Sequence, residues 1–162
     1  MEIMHTGLLP ESLMIDLPEV DAEHEEVFIR IESLKNACFE VDYDPIGDFE
    51  SLMDFFVRHF ATEERIARQN GLEFSEHIAT HRKSLRVLNK ALDEVRSGVR
   101  DAYSFLRYIE LWFERHINEM DKPFAASLQS RRRYRLFPMP VAARFPELQA
   151  GLTAFADSRF SA

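Results

Sequence analysis

Cysteine is almost missing from this chain. Cys38 stands alone, so no intramolecular disulfide can form, and a zinc site built on several thiolates is excluded. The pattern fits a reducing compartment, and the cytoplasm is the expected location. Glycine is scarce as well, five in 162 residues, and few stretches alternate polar with apolar residues, which argues for helices over sheet. Positive charge is in deficit: 20 Lys and Arg face 28 Asp and Glu, for a formal net charge of −8. A chain of that sign repels phosphate as a whole, so neither nucleic acid nor an anionic membrane is an expected partner. No apolar run approaches the ~20 residues that a membrane-spanning helix needs. Pro10, Glu11 and Asp16 break up the start, leaving no basic-then-apolar export signal. A nucleophilic triad, a phosphate-cradling glycine loop and a nucleotide motif are also lacking.

What is present is helical periodicity, in a chain long enough for one well-buried domain. Residues Met1 to Pro18 read as an extended lead-in whose apolar anchors, Leu8, Leu9, Leu13 and Ile15, cover one end of a core. A first helix is expected from Pro18 or Glu19 to about Glu40, with His24, Val27, Phe28, Ile31, Leu34 and Cys38 on one stripe. After a turn at Val41 to Asp44, Asp44 as cap and Pro45 in the first turn open a second helix that runs to about Asn70. Its inward face is Phe49, Leu52, Phe56, His59, Glu63 and Ile66. Asn70-Gly71 is a stop in the left-handed conformation. A third helix, about Phe74 to Ser97, carries His77, His81, Leu85, Leu88, Leu92 and Val95, and Gly98 ends it. Asp101 caps a fourth, with Phe105, Ile109, Trp112, His116 and Met120 inward. Short connections imply an all-α, antiparallel up-down four-helix bundle over residues 1–128. Residues 129–162 form a separate extension, basic and proline-containing.

Five of the six histidines therefore lie on inward faces, one each on three helices and two on the third. His59 and Glu63 are one turn apart, as are His77 and His81, and Asp121 follows His116 by five residues. Burying five imidazoles and two carboxylates without partners would cost several kcal/mol for the charged groups alone, which a marginally stable domain does not survive. A pair of metal ions bridged by carboxylates removes the difficulty. Sulfur-free, imidazole-rich ligation suits iron, ahead of manganese or zinc. The zinc-protease pattern fails because Ile78 follows His77, and the carboxylate-rich di-iron pattern fails because no Glu stands three residues before any of the five histidines. In a regular helix five residues turn through about 140° past a full circle, so pairing Asp121 with His116 requires a π-type widening between them.

The order His, then His-x-x-x-Glu, then His-x-x-x-His, then His-x-x-x-x-Asp resembles hemerythrin, especially the bacterial hemerythrin domains. The segments LPEVDAEHEEVF, HFATEE and LWFERHINEMDKPF resemble the family's first-, second- and fourth-helix signatures, and the likeness spans about Leu17 to Phe124. It implies a di-iron centre in which His77, His81 and His116 hold one iron, His24 and His59 hold the other, and Glu63, Asp121 and a solvent-derived oxygen bridge them. It implies dioxygen as ligand at the two-histidine iron, with Trp112, Phe113 and Ile117 beside that position. The family usually has leucine where this chain has Phe113, so the larger ring narrows the pocket. Tyrosine is frequent where Leu72 stands, and the usual N-terminal tryptophan is not evident. The expected role is a non-enzymatic oxygen-binding protein for storage, delivery or sensing. The alternatives are a di-iron enzyme or scavenger acting on peroxide or nitric oxide, and an iron- or redox-responsive regulatory module.

His5 is expected in the lead-in rather than at the centre, and Cys38 in the core. The Arg131 to Arg135 run is weighed as a solvated linker, as a segment docked on the acidic bundle, and as a contact for a protein partner or nucleic acid. The extension carries six arginines against Glu147 and Asp157, a balance of +4. Phe145, Leu148, Leu152 and Phe155 would supply its apolar contacts.

Overall fold

A computed structural model describes residues 7–136, apart from the side chain of Arg135. His5, and the part of the extension that holds the prolines, Phe145, Leu148, Leu152 and Phe155, lie outside the described residues. The chain divides into two compact units, Met1–Leu128 and Gln129–Ala162. The described residues contain only helices, in the order of a short 3-10 turn (Glu11–Leu13), α1 (Pro18–Ala37), α2 (Ile46–Gln69), α3 (Ser75–Arg96), α4 (Ala102–His116), a π-helical segment (Ile117–Asp121) and α5 (Lys122–Leu136). Helix α1 packs on α2 and α4, and α3 packs on the same two. The result is a four-helix bundle of antiparallel neighbours joined by short turns. No described helix is long and apolar enough to cross a membrane.

Each helix starts and stops for a local reason. Pro18 occupies the first turn of α1, where its missing N–H costs nothing. The carboxylate of Asp21 reaches back and accepts from Leu17 N at 3.1 Å and Ile15 N at 2.8 Å. Asp44 accepts from Ile46 N at 3.1 Å, with Pro45 as the residue before α2, one position earlier in the helix register than expected. Asp101 caps α4 through Ser104 N at 2.8 Å, as its side-chain chemistry predicts. Gly71 and Gly98 take positive φ, +63° and +73°. That geometry lets Leu72 N reach Ala67 O and Val99 N reach Glu94 O, closing α2 and α3.

The core is continuous along the bundle. Phe49, Phe56, Phe105, Leu106, Ile109 and Leu128 are fully enclosed, each burial contributing roughly 1.5–3 kcal/mol. The lead-in docks as Leu9, Leu13, Ile15 and Leu17, all buried, and Lys122 Nζ donates to Ser12 O at 2.6 Å. Leu8 departs from expectation: it is exposed, while its neighbour Leu9 is buried. Helix α1 ends at Ala37, three residues short of Glu40, and Cys38 sits at its C-cap, half-buried against the core rather than within it. Burial pushes its thiol pKa up, with the Asp101 charge adding to the effect. Phe113 of α4 and Ile117 of the π segment are enclosed as well, while Trp112 and Met120 are half-buried. Arg131, Arg132 and Arg133 are helical and exposed on α5.

Candidate metal centre

The seven predicted side chains arrive from four directions. Helix α1 supplies His24, α2 supplies His59 and Glu63, α3 supplies His77 and His81, and α4 with its π segment supplies His116 and Asp121. All seven are buried, Glu63 and Asp121 completely. They form two overlapping groups: Glu63, His77, His81, His116 and Asp121 in one, His24, His59, Glu63 and Asp121 in the other. Within each group one donor atom per residue lies within 4.8 Å of every other. Ligands bonded at about 2.0–2.2 Å stand at most about 4.4 Å apart across an ion, so small adjustments complete either shell. Both carboxylates belong to both groups, as bridges would.

Whether these residues suit cations can be tested on their hydrogen bonds. Among the described residues, eleven buried side-chain nitrogen and oxygen atoms have no hydrogen-bond partner, and every one belongs to these seven residues. They include both oxygens of Glu63, both of Asp121, and Nε2 of all five histidines. The close pairs run from 3.1 to 3.5 Å: His81 to Glu63, His77 to Asp121, His116 to Asp121, His24 to Asp121 and His77 to Glu63. Yet none is aligned as donor to acceptor. The lone pairs converge on shared points between the residues, which is how ligand atoms are disposed. Orphaned buried polar atoms are rare in folded proteins and each costs about 1–3 kcal/mol, so eleven together require an occupant. Nitrogen and oxygen donors without sulfur, two of them anionic, fit divalent cations.

Electrostatics points the same way. Burial pushes the carboxyl pKa of Glu63 well above its ordinary value, and the charge of Asp121 raises it further. Burial also opposes ionisation of Asp121, but the imidazoles of His116, His24 and His77 outweigh it and hold that carboxyl well below its usual range. Burial depresses His59, with Glu23 pulling back the other way. His81 is pushed down to about 2 by burial and by neighbouring His77 and His116. Neutral imidazoles of this kind are in the state that ligates.

Aromatic rings fix the walls. Phe60 stacks on His81 at 3.9 Å between centroids, and Phe74 lies 4.2 Å from His77. Phe113 stands edge-on to His24 at 5.3 Å and to His59 at 5.8 Å, beside the two-imidazole group. Ile117 is fully enclosed, whereas Trp112 lies 5.5 Å from His116 and lines a surface groove of about 420 Å³ with Ser84, Lys83 and Arg115. The π segment between His116 and Asp121 is the widening that their spacing requires. Sequence reasoning missed Glu23, which is 2.9 Å from His59 Nδ1, and Thr62, which donates to Glu23 at 2.8 Å. Both directly precede a predicted ligand in the chain, but a charged residue beside a ligand is too common to stand out.

No curated protein matches the chain by sequence. A family model described as the hemerythrin HHE cation-binding domain matches residues 16–127, which include every one of the seven converging side chains. By that match over more than half its length, and with a buried His and carboxylate cluster suited to cations, the chain belongs to the hemerythrin family.

Proposed function

We propose that the chain holds two iron ions and binds dioxygen reversibly, for storage, delivery or sensing in the cytoplasm. The observation that carries this is the unequal division of the donors, three imidazoles in one group and two in the other with both carboxylates shared. The proposed ligand roles follow that division: His77, His81 and His116 for one ion, His24 and His59 for its partner, Glu63 and Asp121 between them. Iron is favoured because imidazole and carboxylate donors without thiolate suit it. Iron held by these residues would supply the redox chemistry, one electron from each ion to dioxygen on binding and the same electrons returned on release.

The chain's own residues make that reversible in three ways. The neutral imidazoles leave the centre with net positive charge that favours an anionic ligand state. The two-imidazole side has fewer protein donors, and Phe113, fully enclosed and edge-on to His24 and His59, walls that side off from water. Phe60 and Phe74 hold the imidazoles of His81 and His77 in place by ring contact.

A second reading is a di-iron scavenger acting on peroxide or nitric oxide. The Phe113 ring favours it, because its closeness to both His24 and His59 limits the room beside them. Reconstitution with ferrous salt under nitrogen separates the two. Oxygen binding predicts two irons per chain and a visible band that forms with oxygen and vanishes under vacuum. Immediate loss of the ferrous state with turnover of added peroxide would replace it with the scavenger. Fewer than two ions per chain would sink both.

A further inference from the structure

Glu23 is buried among the helices on one side and 24 % exposed on the other, so it links the sealed centre to the surface. Its Oε2 is 2.9 Å from Nδ1 of His59, and its Oε1 accepts from Thr62 Oγ1 at 2.8 Å. With Nδ1 engaged by a carboxylate, the proton of the neutral ring resides there and the Nε2 lone pair faces the centre. That Nε2 is one of the orphaned buried atoms. Among the described residues, no carboxylate gives the other imidazoles comparable support. His81 Nδ1 is 3.8 Å from Glu64, beyond hydrogen-bond range, and Nδ1 of His24 has no partner. The one supported ring belongs to the group with only two imidazoles.

We propose that Glu23, held by Thr62, is a positioning residue that fixes the ligating tautomer of His59 and strengthens its donor nitrogen, setting the affinity of the two-imidazole cation position separately from the other. This rests on the reading that the chain holds two ions. The placement follows from helix geometry. Glu23 precedes His24 and Thr62 precedes Glu63, so each is turned about 100° from its neighbouring ligand and meets the adjacent helix. Helix α1 thereby contributes one ligand of its own and the support for a ligand of α2. Carboxylates that bear on the far nitrogen of a ligating histidine change metal affinity by about 10- to 100-fold, and His59 supplies one of only two nitrogens at this position.

The test is titration of metal-free full-length protein with cobalt(II), followed by visible absorption and by metal content after gel filtration. Circular dichroism of each metal-free variant reads folding. Glu23→Ala removes both the acceptor and its charge, Glu23→Gln keeps an acceptor oxygen, and Thr62→Val frees the carboxylate. The expected result is that Glu23→Ala weakens the second equivalent about 10- to 100-fold and the first by less than about twofold. Glu23→Gln restores part of the loss, and Thr62→Val falls between wild type and Glu23→Ala. Should Glu23→Ala fail to fold, Glu23→Gln decides alone, through the same selective loss. Equal weakening of both equivalents, or no change in either, overturns the proposal. Wild-type protein that takes up fewer than two ions overturns the underlying two-ion reading instead.

Discussion

Nε2 of His116 lies 3.2 Å from Oδ1 of Asp121, five residues further along the same chain. The π segment Ile117–Asp121 makes this contact, since both residues that flank it, His116 and Lys122, keep helical φ and ψ. A widened turn weakens backbone hydrogen bonding, and such bulges concentrate at functional sites. Here it carries a carboxylate to the point where two donor groups overlap.

Asp121 is therefore the side chain whose change should disturb both groups at once. Asp121→Asn keeps the volume and removes one anionic charge. Metal content after ferrous reconstitution should fall from two ions per chain to one or none, with helicity retained. Retention of two ions would remove Asp121 from the bridge.

Metal removal should destabilise the fold. A ligand at a thousandfold excess over its dissociation constant contributes about 4 kcal/mol per site, and a domain of this size shifts by about 2–4 °C per kcal/mol. Chelation should thus lower the thermal midpoint by about 10 °C or more. Equal midpoints with and without chelator would contradict the idea that the orphaned atoms depend on cations.

The metal-free protein should lose stability as pH falls from about 6.5 to about 5. His59 and His81 are held below the ordinary histidine value of 6.5, so below that pH the unfolded chain binds protons that the folded one refuses, and stability falls. Glu63 is raised above its ordinary 4.5 and opposes this trend, but two histidines outweigh one carboxyl. Asp121, depressed below 3.8, costs stability only at still lower pH. Urea unfolding of chelated protein at about pH 5 and 6.5 checks the sign, and equal or greater stability at the lower pH would contradict it.

Phe113→Leu should open space beside His24 and His59. Loss of a fully buried ring costs roughly 1–3 kcal/mol after partial repacking, while metal content stays at two. Binding of azide or oxygen, followed by stopped flow, should become faster. An unchanged rate would place the entry route elsewhere.

Asp21→Ala should release the lead-in. It strips acceptors from the buried N–H groups of Ile15 and Leu17, at about 1–3 kcal/mol each. Limited proteolysis should then cut before Pro18 while metal uptake persists. Protection equal to wild type would show that the apolar anchors suffice.

Local pattern was enough for the four helices and for most of their inward residues, including all seven of the converging side chains. Three- and four-residue spacing of Phe49, Leu52, Phe56, His59 and Glu63 leaves one face for the core, and Gly71, Gly98 and Asp101 mark ends by backbone chemistry that acts locally. Even the π widening was legible, because two ligand-type residues at a spacing of five cannot share an α-helical face. What reached further than a turn or two was not. Leu8 is exposed and Cys38 stands at a helix cap, neither of which the apolar pattern indicates. Only the packing of four helices could decide that donors split into groups of five and four sharing Glu63 and Asp121, that Phe113 faces His24 and His59, and that Glu23 serves His59 on another helix. Periodicity assigns a residue to a face, whereas distances between faces depend on contacts between residues far apart in the chain, which no local pattern encodes.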